Sequence, residues 1–215
     1  MLAGDSAGGG LALSLLSLVA AEAREGTRVR PAGAAVMSPW TDLALSGASM
    51  ETRAKVDPLM TKESLAAAAR IYLSEHDPFD PRASPLYADL AGLPPVRIHV
   101  GEDEVLLDDS IRYGERLETA GGTVQVHTWE GMIHVFPSNI ANLRAAKQAL
   151  DDIGGFLRQQ CESAIFSFSG QDMSPSIPRV GIPRSTVRRQ RIRLIVAHYF
   201  FNTFVDQASF RSSVR

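Results

Sequence analysis

Residues 1–12 read MLAGDSAGGGLA, and within them Gly4-Asp5-Ser6-Ala7-Gly8 follows the pattern G-x-S-x-G. Glycine two places either side of a serine has a steric reason. The serine backbone takes a strained strand-to-helix turn only where its neighbours carry no side chain to collide with. Such a turn exposes the hydroxyl at a helix N-terminus and leaves the next N–H, that of Ala7, free to bind a developing oxyanion. A glycine-rich loop that cradles a phosphate at a helix start is the competing reading of the same letters. Residues further along the chain have to decide between the two.

Working outward, Leu11–Glu25 reads as a helix rich in alanine and leucine, its first half apolar all round and therefore suited to burial against a sheet. Residues 30–38, RPAGAAVMS, form a short apolar strand closed by Pro39. Thr61–Leu73 is a second helix, with Thr61, Glu63 and Ser64 offering N-terminal capping. A proline-heavy connection leads to the strand VRIHVG at 96–101. Then follow a helix at 108–120 stopped by Gly121-Gly122, a strand TVQVHTW at 123–129, and a helix over 140–159 apart from Gly154-Gly155. Strands alternating with helices predict an α/β fold with a mostly parallel sheet flanked by helices, whose functional loops lie at the carboxyl ends of the strands.

Three such loops carry reactive side chains. The first holds Ser6. The second, VGEDEVLLDDS, offers Glu102, Asp103 and Glu104 as a carboxylate, while Asp108 and Asp109 are placed to cap and charge the next helix. The third, WEGMIHVF, offers His134. His99, inside a strand, reads as a core histidine. Serine, then acid, then histidine is the chain order in which one class of α/β enzymes assembles a nucleophile, its base and the carboxylate that orients the base. A nucleotide-binding reading fails, because the glycine loop has neither a P-loop lysine nor G-x-G-x-x-G.

GDSAGGGLA, SPWTDLALSGAS, DPRASPLYADLAGLPPVRIHVGEDEVLLDDS and WEGMIHVF together resemble the hormone-sensitive-lipase-like esterases, the bacterial family IV group of the α/β-hydrolases, from about residue 2 to about residue 158. The resemblance implies that Ser6 is the nucleophile, His134 the general base and Ala7 one oxyanion donor. Laying the family's D-P-L-x-D-E motif so that its last two acids fall on Asp108-Asp109 puts the triad acid at Glu104, with Asp103 the alternative. Asp5, Ser38, Trp40 and Asp42 match recurrent family positions and support the site. The family implies hydrolysis of small, short-chain carboxylic esters, with no metal and no cofactor. Amidase, arylformamidase or deacetylase activity, and a non-catalytic remnant acting as an interaction module, are the alternatives. Family analogy also implies a homodimer formed through TVQVHTW and the helix over 140–157.

Two departures qualify that expectation. Family members carry an H-G-G-G-type segment that supplies further oxyanion donors, and an N-terminal helical cap; no HGG occurs in this chain. The chain thus reads as an N-terminally truncated copy lacking early strands, of low stability and weak activity. Residues 1–160 form the hydrolase portion and 161–215 an unmatched, poorly ordered tail.

Charge sets that boundary: 161–215 carries a net +5 and the rest −7, against −2 overall. RSTVRRQRIRLIVAHYFFNTFV in the tail reads as a membrane-surface or nucleic-acid segment, or as the product of a translated frameshift or run-on, since its arginines come without lysine and without a binding motif. The overall charge implies no specific nucleic-acid partner. The apolar stretch 12–21 is too short to span a bilayer, and it follows no basic leader. A single cysteine, Cys161, forms no internal disulfide and suits a reducing, cytoplasmic compartment.

Overall fold

The computed structural model describes residues 1–26, 30–169 and 195–197. Strands β1 (Leu2–Asp5), β2 (Ala34–Met37), β3 (Val96–Gly101), β4 (Val124–Trp129) and β5 (Ile195–Ala197) form one sheet in the order β4-β3-β2-β1-β5. Every neighbouring pair is parallel, with Asp5 opposite Met37 and Met37 opposite His99. The helices are α1 (Ser6–Arg24), α2 (Ser49–Thr52), α3 (Lys62–Leu73), α4 (Leu107–Thr119) and α5 (Arg144–Ser169), with single 3-10 turns at Pro85–Tyr87 and Phe136–Ser138.

Strand alternation sorts the core into two layers. On one face Leu2, Ala34, Val36, Val96, Ile98 and Val124 pack against α1 and α4 through Leu13, Leu16, Tyr113 and Leu117. On the other, Ala35 and Met37 meet Ile153 and Phe156 of α5. A third cluster, around Trp40, Met50, Leu65, Val105 and Leu106, anchors the long segment between β2 and β3 beside the carboxyl ends of the strands.

The boundaries depart from the sequence reading in instructive ways. Helix α1 begins at Ser6, so its glycines lie inside it. Close approach requires them and Gly4 of β1: a Cβ on Gly4 would overlap the Gly8 carbonyl, and one on Gly10 the Trp40 carbonyl. At 19 residues and mean hydropathy 1.4, α1 meets the length and composition of a membrane span, which the shorter apolar stretch read from sequence did not. Over half of it is buried here, while Leu11, Leu15 and Leu18 form an exposed stripe.

Asp108 and Asp109 sit in the first turn of α4 without capping it, since Leu106 is the N-cap and no side chain bonds there. Their carboxylates instead receive N–H groups from the segment after β2: Ser49 at the start of α2 on Asp108, Thr41 and Asp42 of the preceding loop on Asp109. Thr61 does cap α3, accepting from the Ser64 N–H at 3.1 Å.

Helix α5 runs through Gly154-Gly155 and past residue 160 to Ser169. Two glycines cost about 2 kcal/mol of helix propensity, and burial of the flanking Ile153 and Phe156 on the sheet offsets this. Three residues of the unmatched stretch, Ile195–Ala197, form β5 beside β1. The readings made for 170–194 and 198–215 fall outside the described residues.

Beside the apolar contact of Ile153 and Phe156 with the sheet, a polar chain centred on the buried His99 joins β3 and β4 to α5. Trp129 donates through Nε1 to His99 Nδ1 at 3.0 Å, and His99 Nε2 donates to Asp152 at 3.0 Å. Arg97, two residues before His99 on the same strand face, also pairs with Asp152. Burial pushes the His99 imidazole down to about 4 despite its bond to Asp152.

Gly10→Ala is expected to destabilise the fold by about 2 kcal/mol or more through overpacking. Gly154→Ala, where an added Cβ meets nothing within 4 Å, should gain about 0.5–1 kcal/mol. Urea unfolding followed by circular dichroism measures both. His99 should also impose a pH dependence. Between pH 6.5 and about 4 the unfolded chain binds a proton that the folded chain refuses, so stability falls as pH falls through that window, by about 3 kcal/mol in all. Unfolding midpoints at pH 7 and pH 4.5, compared with those of His99→Gln, should show a smaller acid loss in the variant.

Candidate active site

The carboxyl ends of four adjacent strands converge on one point. Ser6 follows β1, Ser38 follows β2, Glu104 lies in the loop after β3, and His134 follows β4. Ser6 holds φ 52°, a left-handed conformation that non-glycine residues avoid, and this turns the chain directly from β1 into α1. Close packing around Gly4 and Gly10 and a bond from the Trp40 N–H to the Ser6 carbonyl at 2.9 Å hold the turn.

His134 lies between the other two groups. Its Nε2 is 2.9 Å from Ser6 Oγ, and its Nδ1 is 3.2 Å from Glu104 Oε1. A carboxylate only accepts, so Nδ1 donates to Glu104 and Nε2 is left as the acceptor for the Ser6 hydroxyl. Glu104 is fully buried and His134 nearly so, whereas Ser6 is partly exposed. Water is thus excluded from the histidine–carboxylate pair while the hydroxyl stays within reach.

The structure places the other acids of that loop elsewhere. Glu102 pairs with Arg53 at 3.7 Å, and Asp103 joins the histidine loop through its backbone N–H, which donates to the Met132 carbonyl at 2.9 Å. Ala7, the second residue of α1, carries one of the early helix N–H groups that lack an intrahelical partner.

Several polar groups that the sequence reading passed over, or named only as support, set this geometry. Glu104 Oε2 accepts from the Ser38 hydroxyl at 2.7 Å and from the Gly101 N–H at 2.9 Å. Asp57 accepts the Val105 N–H at 2.9 Å and so fixes the residue after Glu104. Asp42 collects the Ala44 and Ser46 N–H groups, the Tyr87 hydroxyl and Arg112. Beside it Asp109 is wholly buried, and burial raises its carboxyl to about 8, so it is chiefly protonated at neutral pH. Trp40 is core, with its indole N–H on the Asp42 carbonyl. Proline and aspartate in SPWTD were the available signal, but nothing in their spacing shows which backbone groups they would meet.

Among the described residues, one further cluster has metal-ligand composition. His99, His127 and Asp152 place their donor atoms within 4.8 Å of one another. The indole N–H of Trp129 can only donate, so His99 Nδ1 accepts and the Nε2 facing Asp152 carries the ring proton. With Arg97 already on Asp152, this donor set does not fit a divalent cation.

The chain is similar to known proteins in sequence and in fold. An acetyl-hydrolase of Streptomyces hygroscopicus is 41% identical over 157 residues, which is 73% of this chain and 51% of that protein. An esterase of Acinetobacter venetianus is 40% identical over 73% of this chain and 50% of its own length. The crystal structure of an esterase from the bacterial hormone-sensitive lipase family superposes with a TM-score of 0.69 at 41% identity, covering 74% of this chain and 52% of that one. A hormone-sensitive lipase from a metagenome library gives a TM-score of 0.68 at 37% identity, with the same two coverages. The chain spans about half the length of the curated relatives it matches. Residues 1–138 match the family described as the alpha/beta hydrolase fold, and the chain belongs to that family.

Proposed function

We propose that this chain carries the reaction centre of a serine hydrolase of short-chain carboxylic esters, with Ser6 as nucleophile, His134 as general base and Glu104 as the acid that orients it. The observation that carries the reading is His134 bridging Ser6 Oγ at 2.9 Å and Glu104 Oε1 at 3.2 Å. A serine hydroxyl is a weak nucleophile until an adjacent base takes its proton. Here Nε2 accepts that proton as Oγ attacks the ester carbonyl, and the buried Glu104 carboxylate stabilises the imidazolium that forms. The Ala7 N–H binds the oxyanion. His134 then protonates the departing alcohol, and a water activated by the same imidazole frees the acid and restores Ser6. No step uses a metal or an organic cofactor.

The acetyl-hydrolase and esterase relatives support an ester substrate with a small acyl group. Nothing in the geometry favours an amide over an ester. Removing one oxyanion donor costs on the order of 10² to 10³ in rate. Withdrawing the Ala7 N–H is therefore expected to slow the reaction by that order.

A fluorophosphonate probe incubated with the full chain should form an adduct on Ser6, located by peptide mass spectrometry, and Ser6→Ala should form none. The full chain should turn over p-nitrophenyl acetate, and the same variant should not. A folded chain that takes no label at Ser6 would overturn the proposal. Glu104→Gln keeps the shape but removes the charge that holds the Nδ1–H tautomer, and it should slow adduct formation by on the order of 10³ or more.

A further inference from the structure

We propose that Ser38 is a positioning residue for this site: its hydroxyl clamps the Glu104 carboxylate to the backbone beside His134 and thereby selects the Nδ1–H tautomer of that histidine. The inference rests on the triad reading above and adds a group from the one central strand that supplies no member of the triad.

The proton arithmetic is determined by the partners. Ser38 Oγ lies 3.0 Å from the Val135 backbone nitrogen, which can only donate, so the hydroxyl accepts there. Its own proton is then directed to Glu104 Oε2 at 2.7 Å. Oε2 also accepts the Gly101 N–H, so two donors occupy that oxygen and Oε1 is the one presented to His134. A carboxylate held this way is an acceptor towards the imidazole, and the Nδ1–H tautomer follows. Only that tautomer leaves Nε2 able to receive the Ser6 proton.

The backbone supports the assignment. Ser38 has φ 44° and Val135 φ 51°, both left-handed and both at non-glycine residues. Strain of this kind persists where the surroundings over-determine it, and here the two strained residues meet at one hydroxyl. Ser38 is fully buried, and its N–H on the His99 carbonyl at 2.8 Å pins its backbone to the neighbouring strand β3.

The test uses the full chain with two variants. Ser38→Ala removes the hydroxyl, and Ser38→Gly removes it while easily tolerating φ 44°. In a Ser6→Ala background, the nitrogen-15 shifts of His134 should report a single Nδ1–H tautomer, and either Ser38 variant should convert it to a mixture. With Ser6 present, fluorophosphonate labelling should slow by about 10- to 100-fold while circular dichroism stays unchanged. Retention of the single tautomer in the folded variants would overturn the inference, as would labelling within twofold of the parent. Failure of both variants to fold would assign Ser38 to the fold and overturn it equally. If the parent chain takes no label, the esterase reading fails separately, and the tautomer measurement still decides the role of Ser38.

Discussion

Ser6 sits between the last residue of a buried strand and the first turn of a buried helix, in a conformation that costs an L-residue about 1–3 kcal/mol. The rest of the structure depends on that turn being held. Its hydroxyl reaches His134 only because α1 leaves β1 with no intervening loop. The helix can do so because Gly4 and Gly10 let backbone meet backbone where any side chain would intrude. The strain is opposed by hydrophobic burial of α1 through Leu13 and Leu16, both fully buried, which hold the helix on the sheet.

The electrostatics of the site follow from a second constraint, the satisfaction of buried carboxylates. Asp42, Asp57, Glu104 and Asp109 are all buried at the carboxyl edge of the sheet, and each accepts backbone N–H groups, Asp57 and Asp109 from a neighbouring loop and Asp42 and Glu104 from their own. Buried charge without donors would be expensive, so these loops are fixed in place by the cost of leaving them. Asp109 takes the other escape, with burial raising its carboxyl to about 8. Polar cross-links thus do here what apolar packing does deeper in the domain.

Much of this was legible in the sequence because its signals are local or periodic. The G-x-S-x-G turn, the strand VRIHVG and the Thr61 cap declare themselves within a few residues. Serine, acid and histidine in that order placed three groups on three strand ends, and the structure brings Ser6, Glu104 and His134 within hydrogen-bond reach. What sequence could not supply were partners chosen by register. Ser38 meets Glu104 across 66 residues, and Thr41 meets Asp109 across 68. The glycines after Ser6 misled the helix boundary because propensity marks glycine as a helix breaker, whereas here close packing overrides that preference. The pair at 154–155 misled in the same direction, and there α5 simply continues through them.

The hydrogen bond between His134 and Ser6 joins residues 128 positions apart. Closing a flexible loop of that length costs about 4 kcal/mol in chain entropy before any constant is added, and one hydrogen bond returns only about 1 kcal/mol. The contact therefore cannot nucleate anything. It forms after β1 to β4 have already paired, when closure has been achieved by the sheet. In a growing chain the hydroxyl is made 128 residues before the base it needs. Until residue 134 has emerged and β4 has docked, Ser6 is an ordinary serine, and its chemistry belongs to the assembled sheet rather than to the motif that surrounds it.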